Sequence, residues 1–401
     1  MIALRERSRA MKGYFRKRGN TWSYTIDVGI RPDTGDRAQT TKGGFKTKKE
    51  AQLAAAALML ELDQGVYIKE ANLLFKDFAI EWLALYQGSG VKVTTVDIRK
   101  YGVDKLTPYF AHEKMKAITR KMYQGALNDL RASGFADGTL VAINSTGRML
   151  FKKAVELGHI KVDPTHYAVI PKTQKTVEEI EEETDIPKYL EKEELAIFLE
   201  TARKSGLDGD YTVFKLLAYS GIRLGELCAL KWKDIDFENH TINITKTYYN
   251  KNYKATYYTL LTPKTKKSKR TIAIDTTVLD ELENHKALQN IYKMKHRDNY
   301  YPKDFIFVNK TKYPGYPRPL QLFEDRMTRI LKLSKLNESL TPHSLRHTHT
   351  SLLAEAGVGL EEIMERLGHA DDEITRLVYL HVTKTMKKEA SQKFSELMRS
   401  L

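Results

Sequence analysis

The chain has 401 residues, 41% hydrophobic and 29% charged, which is too long for one ordinary core and too apolar for a disordered polymer, so two or three folded domains are expected. The longest apolar run near the start, Leu53–Leu60, falls well short of a bilayer span, and Met1–Met11 lacks the apolar block of a signal peptide, so neither membrane attachment nor export is expected. Cys228 is the single cysteine, which excludes an internal disulfide and suits a cytoplasmic protein, and the formal charge of +15 favours a polyanionic partner such as nucleic acid.

Basic residues crowd the N-terminus at Arg5, Arg7, Arg9, Lys12, Arg16, Lys17 and Arg18. Trp22, Tyr24, Ile26, Val28 and Ile30 then alternate with small or polar residues, the period of a half-buried strand. Asp33-Thr34-Gly35-Asp36 supplies a turn, and Arg37–Phe45 returns as a second strand. Thr47-Lys48-Lys49-Glu50 has the spacing of a capping box before an Ala/Leu-rich helix to about Leu62. A small sheet of this kind fits a DNA groove through Arg16, Lys17, Arg18, Trp22 and Tyr24. The alternative is an ordinary hairpin whose cations only solvate an exposed face.

From Phe75 the pattern turns helical. Phe75, Phe78, Ala79, Trp82 and Leu83 form one apolar stripe; Met122, Tyr123, Leu127 and Leu130 form another after the cap residue Thr119. Leu140, Ile143, Gly147, Leu150, Phe151, Ala154 and Val155 make a third, closed by Gly158 with Pro164 beyond. These stripes read as core, with no cofactor pocket. Residues 171–189, with the acidic run Glu178–Glu183 and Pro187, have the composition of a solvated linker. Beyond it, helices are expected at Leu190–Lys204, Thr277–Lys295, Leu320–Leu333, Leu345–Ala356 and Leu360–Leu367, and strands at Thr241–Thr247 and Tyr257–Ile274.

Cutting a DNA phosphodiester requires charge neutralisation at phosphate, a nucleophile, and an acid for the leaving oxygen. The C-terminal half holds residue types for each role: Arg223 in Ser220-Gly221-Ile222-Arg223-Leu224-Gly225-Glu226, His343 and Arg346 in His343-Ser344-Leu345-Arg346, His369 in Leu367-Gly368-His369, and Tyr379 in Leu377-Val378-Tyr379-Leu380-His381. Arginine forks suit phosphate better than lysines, and a tyrosine nucleophile conserves bond energy in a phosphotyrosine, so rejoining needs no ATP. His343, His347 and His349 also invite a metal reading, but paired cysteines or well-placed carboxylates are missing from the sequence nearby, and capping or core roles suit them better. No metal or cofactor is expected.

This ordered series, with Lys264 in Thr262-Pro263-Lys264-Thr265, resembles the tyrosine recombinase (phage integrase) family, and covers about 190–385 closely. The segment before it resembles that family's core-binding domain, and the N-terminal sheet resembles the arm-binding domain of integrases from integrative and conjugative elements (conjugative transposons). The resemblance implies that Arg223 and Arg346 clamp the phosphate and that Lys264 protonates the leaving 5′-oxygen. It further implies proton transfer by His343, a hydrogen bond from His369 to phosphate, attack by Tyr379, and a structural role for Glu226. Asp371-Asp372-Glu373 makes the stretch before Tyr379 one residue longer than in many compact members. Lys264 is preferred over Lys266 for its Lys-Thr match, while Lys266, Lys267, Lys269 and Arg270 also read as a solvated, phosphate-tracking hairpin tip.

The expected fold is a multidomain α+β chain. It has an arm-type sheet plus helix (1–70), a helical core-binding domain (71–170), a linker (171–189) and a mainly α catalytic domain with a small antiparallel sheet and a C-terminal helix (190–401). The implied function is site-specific recombination of a mobile element through a 3′-phosphotyrosine, by a homo-tetramer on double-stranded DNA carrying core and arm sites. An accessory DNA-bending or directionality protein is a possible further partner. Met386, Ala390, Phe394 and Leu397 give the last helix an apolar stripe that suits docking on a neighbour or on its own domain. Two rivals stand beside this reading: a type IB topoisomerase with the same chemistry, and a non-catalytic DNA-binding regulator using Leu360–Leu367.

Overall fold

The structure is a computed structural model that describes residues 13–30, 36–63, 73–172, 188–251, 254–263, 268–368 and 373–399. The chain divides into two compact units, Met1–Gln174 and Lys175–Leu401.

The first unit opens with an antiparallel sheet in the order β1 (Tyr14–Arg18), β2 (Thr21–Ile30), β3 (Arg37–Phe45), followed by α1 (Lys48–Asp63). The alternation of β2 sends Tyr24 and Ile26 to one face, where they pack with Phe15, Phe45, Ala55 and Leu58. Across the opposite face the Thr25 and Thr41 hydroxyls meet at 2.8 Å. A shifted capping box forms at the start of α1: Thr47 Oγ1 accepts from the Glu50 backbone N–H, while the Glu50 carboxylate reaches one residue past the N-cap to the Lys46 N–H. Strand β1 was not legible from periodicity, because Tyr-Phe-Arg-Lys-Arg is an edge strand exposed along most of its length. Part of the anticipated turn at Asp33–Asp36 lies outside the described residues.

A second, separate core holds α2 (Phe75–Gly88), α3 (Val93–Phe110), α4 (Arg120–Ala132) and α5 (Asp137–Glu156). Its centre is aromatic, with Phe75 and Phe110 rings 5.6 Å apart and Tyr123 edge-on to Phe151 at 5.8 Å. Thr119 caps α4 by accepting from the Met122 N–H, and Gly158 ends α5's connection in a left-handed conformation, both as the sequence indicates. Helix α3 is the element that pattern reading misses. Its first turns are rich in β-branched residues and it carries Gly102 and Pro108, all weak helix signals. Packing explains the glycine: a Cβ at Gly102 would lie 2.6 Å from Thr146 on α5.

The second unit runs α6 (Lys192–Ser205), α7 (Asp210–Ser220), α8 (Leu224–Ala229), β4 (Ile235–Asp236), β5 (Thr241–Ile244), β6 (Thr247–Tyr249), β7 (Thr259–Leu261) and β8 (Arg270–Ala273). It continues through α9 (Thr276–Lys295), α10 (Leu320–Ser334), α11 (Ser344–Glu355), α12 (Leu360–Leu367) and α13 (Glu373–Arg399). The strands form two small antiparallel sheets, β4-β5-β8 and β6-β7. One large core joins α6–α11 to these sheets. Helix α7 also escapes pattern reading, for the opposite reason to α3. It is buried on nearly every side, so no polar face marks its period. Among the described residues, no helix is long and apolar enough to cross a membrane. The side chains of Met386, Ala390, Phe394 and Leu397 lie outside the described residues, as does most of the anticipated linker.

Candidate active site

Helix α7 ends at Gly221 with φ +63°, and the chain turns at once into α8 with Arg223 as N-cap. Only glycine fits that turn: besides the positive φ, a Cβ there would sit 2.6 Å from the His349 ring and 2.7 Å from Leu367. Four residues on, a Cβ at Gly225 would lie 2.6 Å from Thr247 Oγ1, so the glycine lets α8 lie close against β6.

Arg223 keeps 37% of its side chain exposed and donates from Nη1 to Glu226 Oε1 at 3.0 Å. Its backbone N–H donates to Glu226 Oε2, also at 3.0 Å. The buried Glu226 takes a second guanidinium, Arg270, at 2.9 and 3.3 Å. Burial by itself would raise the Glu226 carboxyl, but the Arg270 hydrogen bond and charge, with Arg223 behind them, hold it below the usual range. The carboxylate stays ionised and braces both arginines.

Arg346 on α11 is only 2% exposed. It donates from Nη1 to the Gly221 carbonyl at 2.5 Å and from Nη2 to the Leu367 carbonyl at 2.7 Å. His343 is exposed at the N-cap of the same helix, edge-on to His347 at 4.9 Å. His343 is therefore open to solvent, whereas Arg346 one turn on is buried. His349 donates from Nδ1 to the Ala218 carbonyl at 2.8 Å, and its Nε2 accepts from Arg366 Nε at 3.1 Å. Burial, then the nearby Arg366 charge, pushes it down to about 3, so both ring nitrogens serve the protein and the ring is neutral.

Tyr379, half-buried on α13, packs on a small cluster of Ala354, Ile363, Leu367 and Val382. Leu367 is thus a common node. Its carbonyl holds Arg346, its side chain abuts the turn before Arg223, and the Tyr379 ring packs against the cluster it belongs to. Three of the motifs read from the sequence converge there. Lys264, Lys266, Lys267 and His369 lie outside the described residues.

The N-terminal candidates separate. Arg16, Lys17 and Arg18 are exposed on β1, and Trp22 is half-buried with the Lys48 ammonium 5.6 Å above its ring. Tyr24 is corrected: at 4% exposure and stacked on Phe45 at 5.7 Å, it belongs to the core that joins sheet and helix, and its ring presents no surface to a duplex. Arg270 is corrected too. It is no part of a solvated tip but a buried brace, which sequence reasoning missed. The usable signal was strand period, since Arg270, Ile272 and Ile274 alternate toward the buried side of β8.

Residues 188–386 match the phage integrase family, residues 14–62 an arm DNA-binding domain, and residues 74–131 the N-terminal SAM-like domain of phage integrases. The integrase of Staphylococcus phage L54a is 32% identical over 352 residues, covering 82% of this chain and 94% of that one. The ICEBs1 integrase of Bacillus subtilis is 27% identical, with 94% and 97% covered. The solved structure of the Tn1549 transposon integrase with transposon right end DNA superposes with a TM-score of 0.61 at 19% identity, covering 80% of this chain and all of that one. Neither the topoisomerase nor the regulator reading is favoured by these relatives. With the arginine-box turn, the Arg346 helix and the Tyr379 helix meeting around the Leu367 cluster and relatives matched over most of their length, the chain belongs to the phage integrase family of tyrosine site-specific recombinases.

Proposed function

We propose that this recombinase moves a mobile element by cutting each strand with Tyr379, whose Oη attacks the scissile phosphorus and leaves a 3′-phosphotyrosine and a free 5′-hydroxyl. Arg223 and Arg346 clamp the phosphate oxygens, Lys264 protonates the departing 5′-oxygen, and His343 and His369 assist through proton transfer and a hydrogen bond. A second 5′-hydroxyl then attacks the phosphotyrosine, releasing Tyr379, and the strand is rejoined without an external energy source. The observation that carries this reading is the meeting of the three motif-bearing elements around the small cluster that contains Leu367.

Residues 1–70 serve as the arm-site module, 71–170 as the core-binding module and 190–401 as the catalytic domain. The two separate cores of the first unit support the division between the first two. Exchange between two duplexes requires four strand cleavages, so the working assembly is a homo-tetramer on DNA in the cytoplasm, aided by a DNA-bending or directionality protein. A nicked suicide substrate tests the chemistry. Wild-type protein becomes covalently attached to DNA, whereas Tyr379→Phe binds the same DNA and forms no adduct. Adduct formation by Tyr379→Phe removes Tyr379 from the nucleophile's role.

A further inference from the structure

We propose that Arg270 is a positioning residue for strand cleavage, fixing the aim of Arg223 and the end of α12 at once. The proposal rests on Arg223 acting as a phosphate clamp. Arg270 opens β8, six residues after Lys264 in the sequence, and its side chain is 6% exposed. All three of its side-chain nitrogens donate. Nη2 and Nη1 donate to the two Glu226 oxygens, Nη1 also reaches the Ser268 carbonyl at 3.3 Å, and Nε donates to the Arg366 carbonyl at 2.7 Å.

Two of these contacts bear on cleavage. Glu226 Oε1 receives Arg223 Nη1 as well as Arg270 Nη1, so any shift of Arg270 moves the carboxylate that orients the clamp arginine. The Arg366 carbonyl is one of the last on α12, where carbonyls lack helical partners and the dipole is negative. Its neighbour, the Leu367 carbonyl, is held by Arg346. Two guanidinium groups therefore grip adjacent carbonyls at the helix end, just ahead of the Gly368-His369 step. Arg346 ties that end to the turn before Arg223, and Arg270 ties it to the carboxylate behind Arg223. Lysine, with one point charge, cannot hold a carboxylate in two places and a carbonyl in a third.

A purely fold-holding salt bridge would have different consequences, and the charge of the scissile group separates the two. If Arg270 acts by aiming Arg223 at an anionic phosphate, its loss should matter little when that phosphate is replaced by a neutral methylphosphonate. The full chain is assayed for DNA affinity and single-turnover cleavage on both substrates. Arg270→Met is expected to bind DNA within about twofold of wild type but to cut the phosphodiester about 100-fold more slowly. Arg270→Lys is expected to recover no more than about tenfold of that loss. On the methylphosphonate, Arg270→Met should come within about threefold of wild type, as should Arg223→Met measured beside it. An equal deficit on both substrates, or no deficit on either, overturns the proposal. If Arg270→Met does not fold, the Arg270→Met/Glu226→Met pair, which removes both buried charges, is measured in its place. Should Arg223→Met cut the phosphodiester at the wild-type rate, the clamp reading itself falls and this inference with it. If Arg223→Met is rescued on methylphosphonate and Arg270→Met is not, only the inference fails.

Discussion

Among the described residues of the second unit, two clusters hold carboxylates with two or more cations, and they differ in one respect. In the first, Glu226 is held by Arg223 and Arg270, and Arg223 remains open to solvent. In the second, Asp208 takes Lys310 at 2.8 Å and Arg318 at 2.9 Å, while the fully buried Asp210 takes Arg326 at 2.6 Å. Arg318 spends its remaining donors on the Val308 and Asp208 carbonyls. The second cluster staples the start of α7 to α10 and the loop before it. The first ends in a cation with one side turned outward. The same residue chemistry makes a fold staple where the cations are largely enclosed, and would make a binding element, as proposed for Arg223, where one is left more accessible.

That contrast predicts opposite effects for similar substitutions. Arg326→Met strands the buried Asp210 charge and should lower unfolding free energy by about 3–5 kcal/mol. Arg223→Lys leaves the buried Glu226 still paired with Arg270 and should change stability little, yet slow cleavage by about 100- to 1000-fold. Urea midpoints and single-turnover cleavage rates on both variants give the comparison. Near-normal cutting by Arg223→Lys, or a stable Arg326→Met, would erase the distinction between staple and site.

How far the sequence foretold this is itself uneven. Amphipathic helices such as α12, whose ends at Leu360 and Leu367 agree with the pattern, were legible because one face is wet. Helix α7 was hidden by burial on nearly every side and α3 by β-branched residues and Gly102. At the site, Arg223, Arg346 and Tyr379 announce themselves as motifs. Arg270 does not, because its meaning lies in partners that are distant in sequence, Glu226 and the Arg366 carbonyl, and composition placed it in a basic run. The geometry also revised surfaces. Tyr24 looked like a groove contact by its place in an aromatic, basic strand, but the strand's two faces separate it from Arg16.

A third buried site, His349, sharpens the comparison because it is polar and carries no carboxylate. Its folded-state value is depressed to about 3, chiefly by burial, against about 6.5 when unfolded. The fold therefore favours the neutral ring. Its contribution is whole above pH 6.5 and is lost as pH falls from there toward 3, amounting to about 2 kcal/mol by pH 5. Trp232 is the only tryptophan of residues 190–401, so its fluorescence reports this unit once Trp22 and Trp82 are replaced by Phe. In that background the drop in urea midpoint between pH 7 and pH 5 should be smaller in His349→Asn, which has no ring to protonate. An unchanged drop would show that the acid sensitivity arises elsewhere.

The smallest effect belongs to cations that brace nothing. On β1, Arg16 pairs across the sheet with Ser23 and Arg18 with Thr21, while Lys17 pairs with Trp22. Since Tyr24 faces the helix and strands alternate with period two, Trp22 and Lys17 lie on the helix side, and Arg16 and Arg18 on the opposite face. If that open face meets arm-site phosphates, Arg16→Ala and Arg18→Ala should each lower the salt slope of arm-site binding by about 1, as one fewer counterion is released. At 0.15 M salt the same loss amounts to about fivefold in affinity. Lys17→Ala, on the other face, should leave the slope unchanged. Titrating arm-site DNA with the full chain at several salt concentrations reads all three. If Lys17→Ala weakens binding as much as Arg16→Ala, the duplex lies along the edge of the sheet and not across its open face.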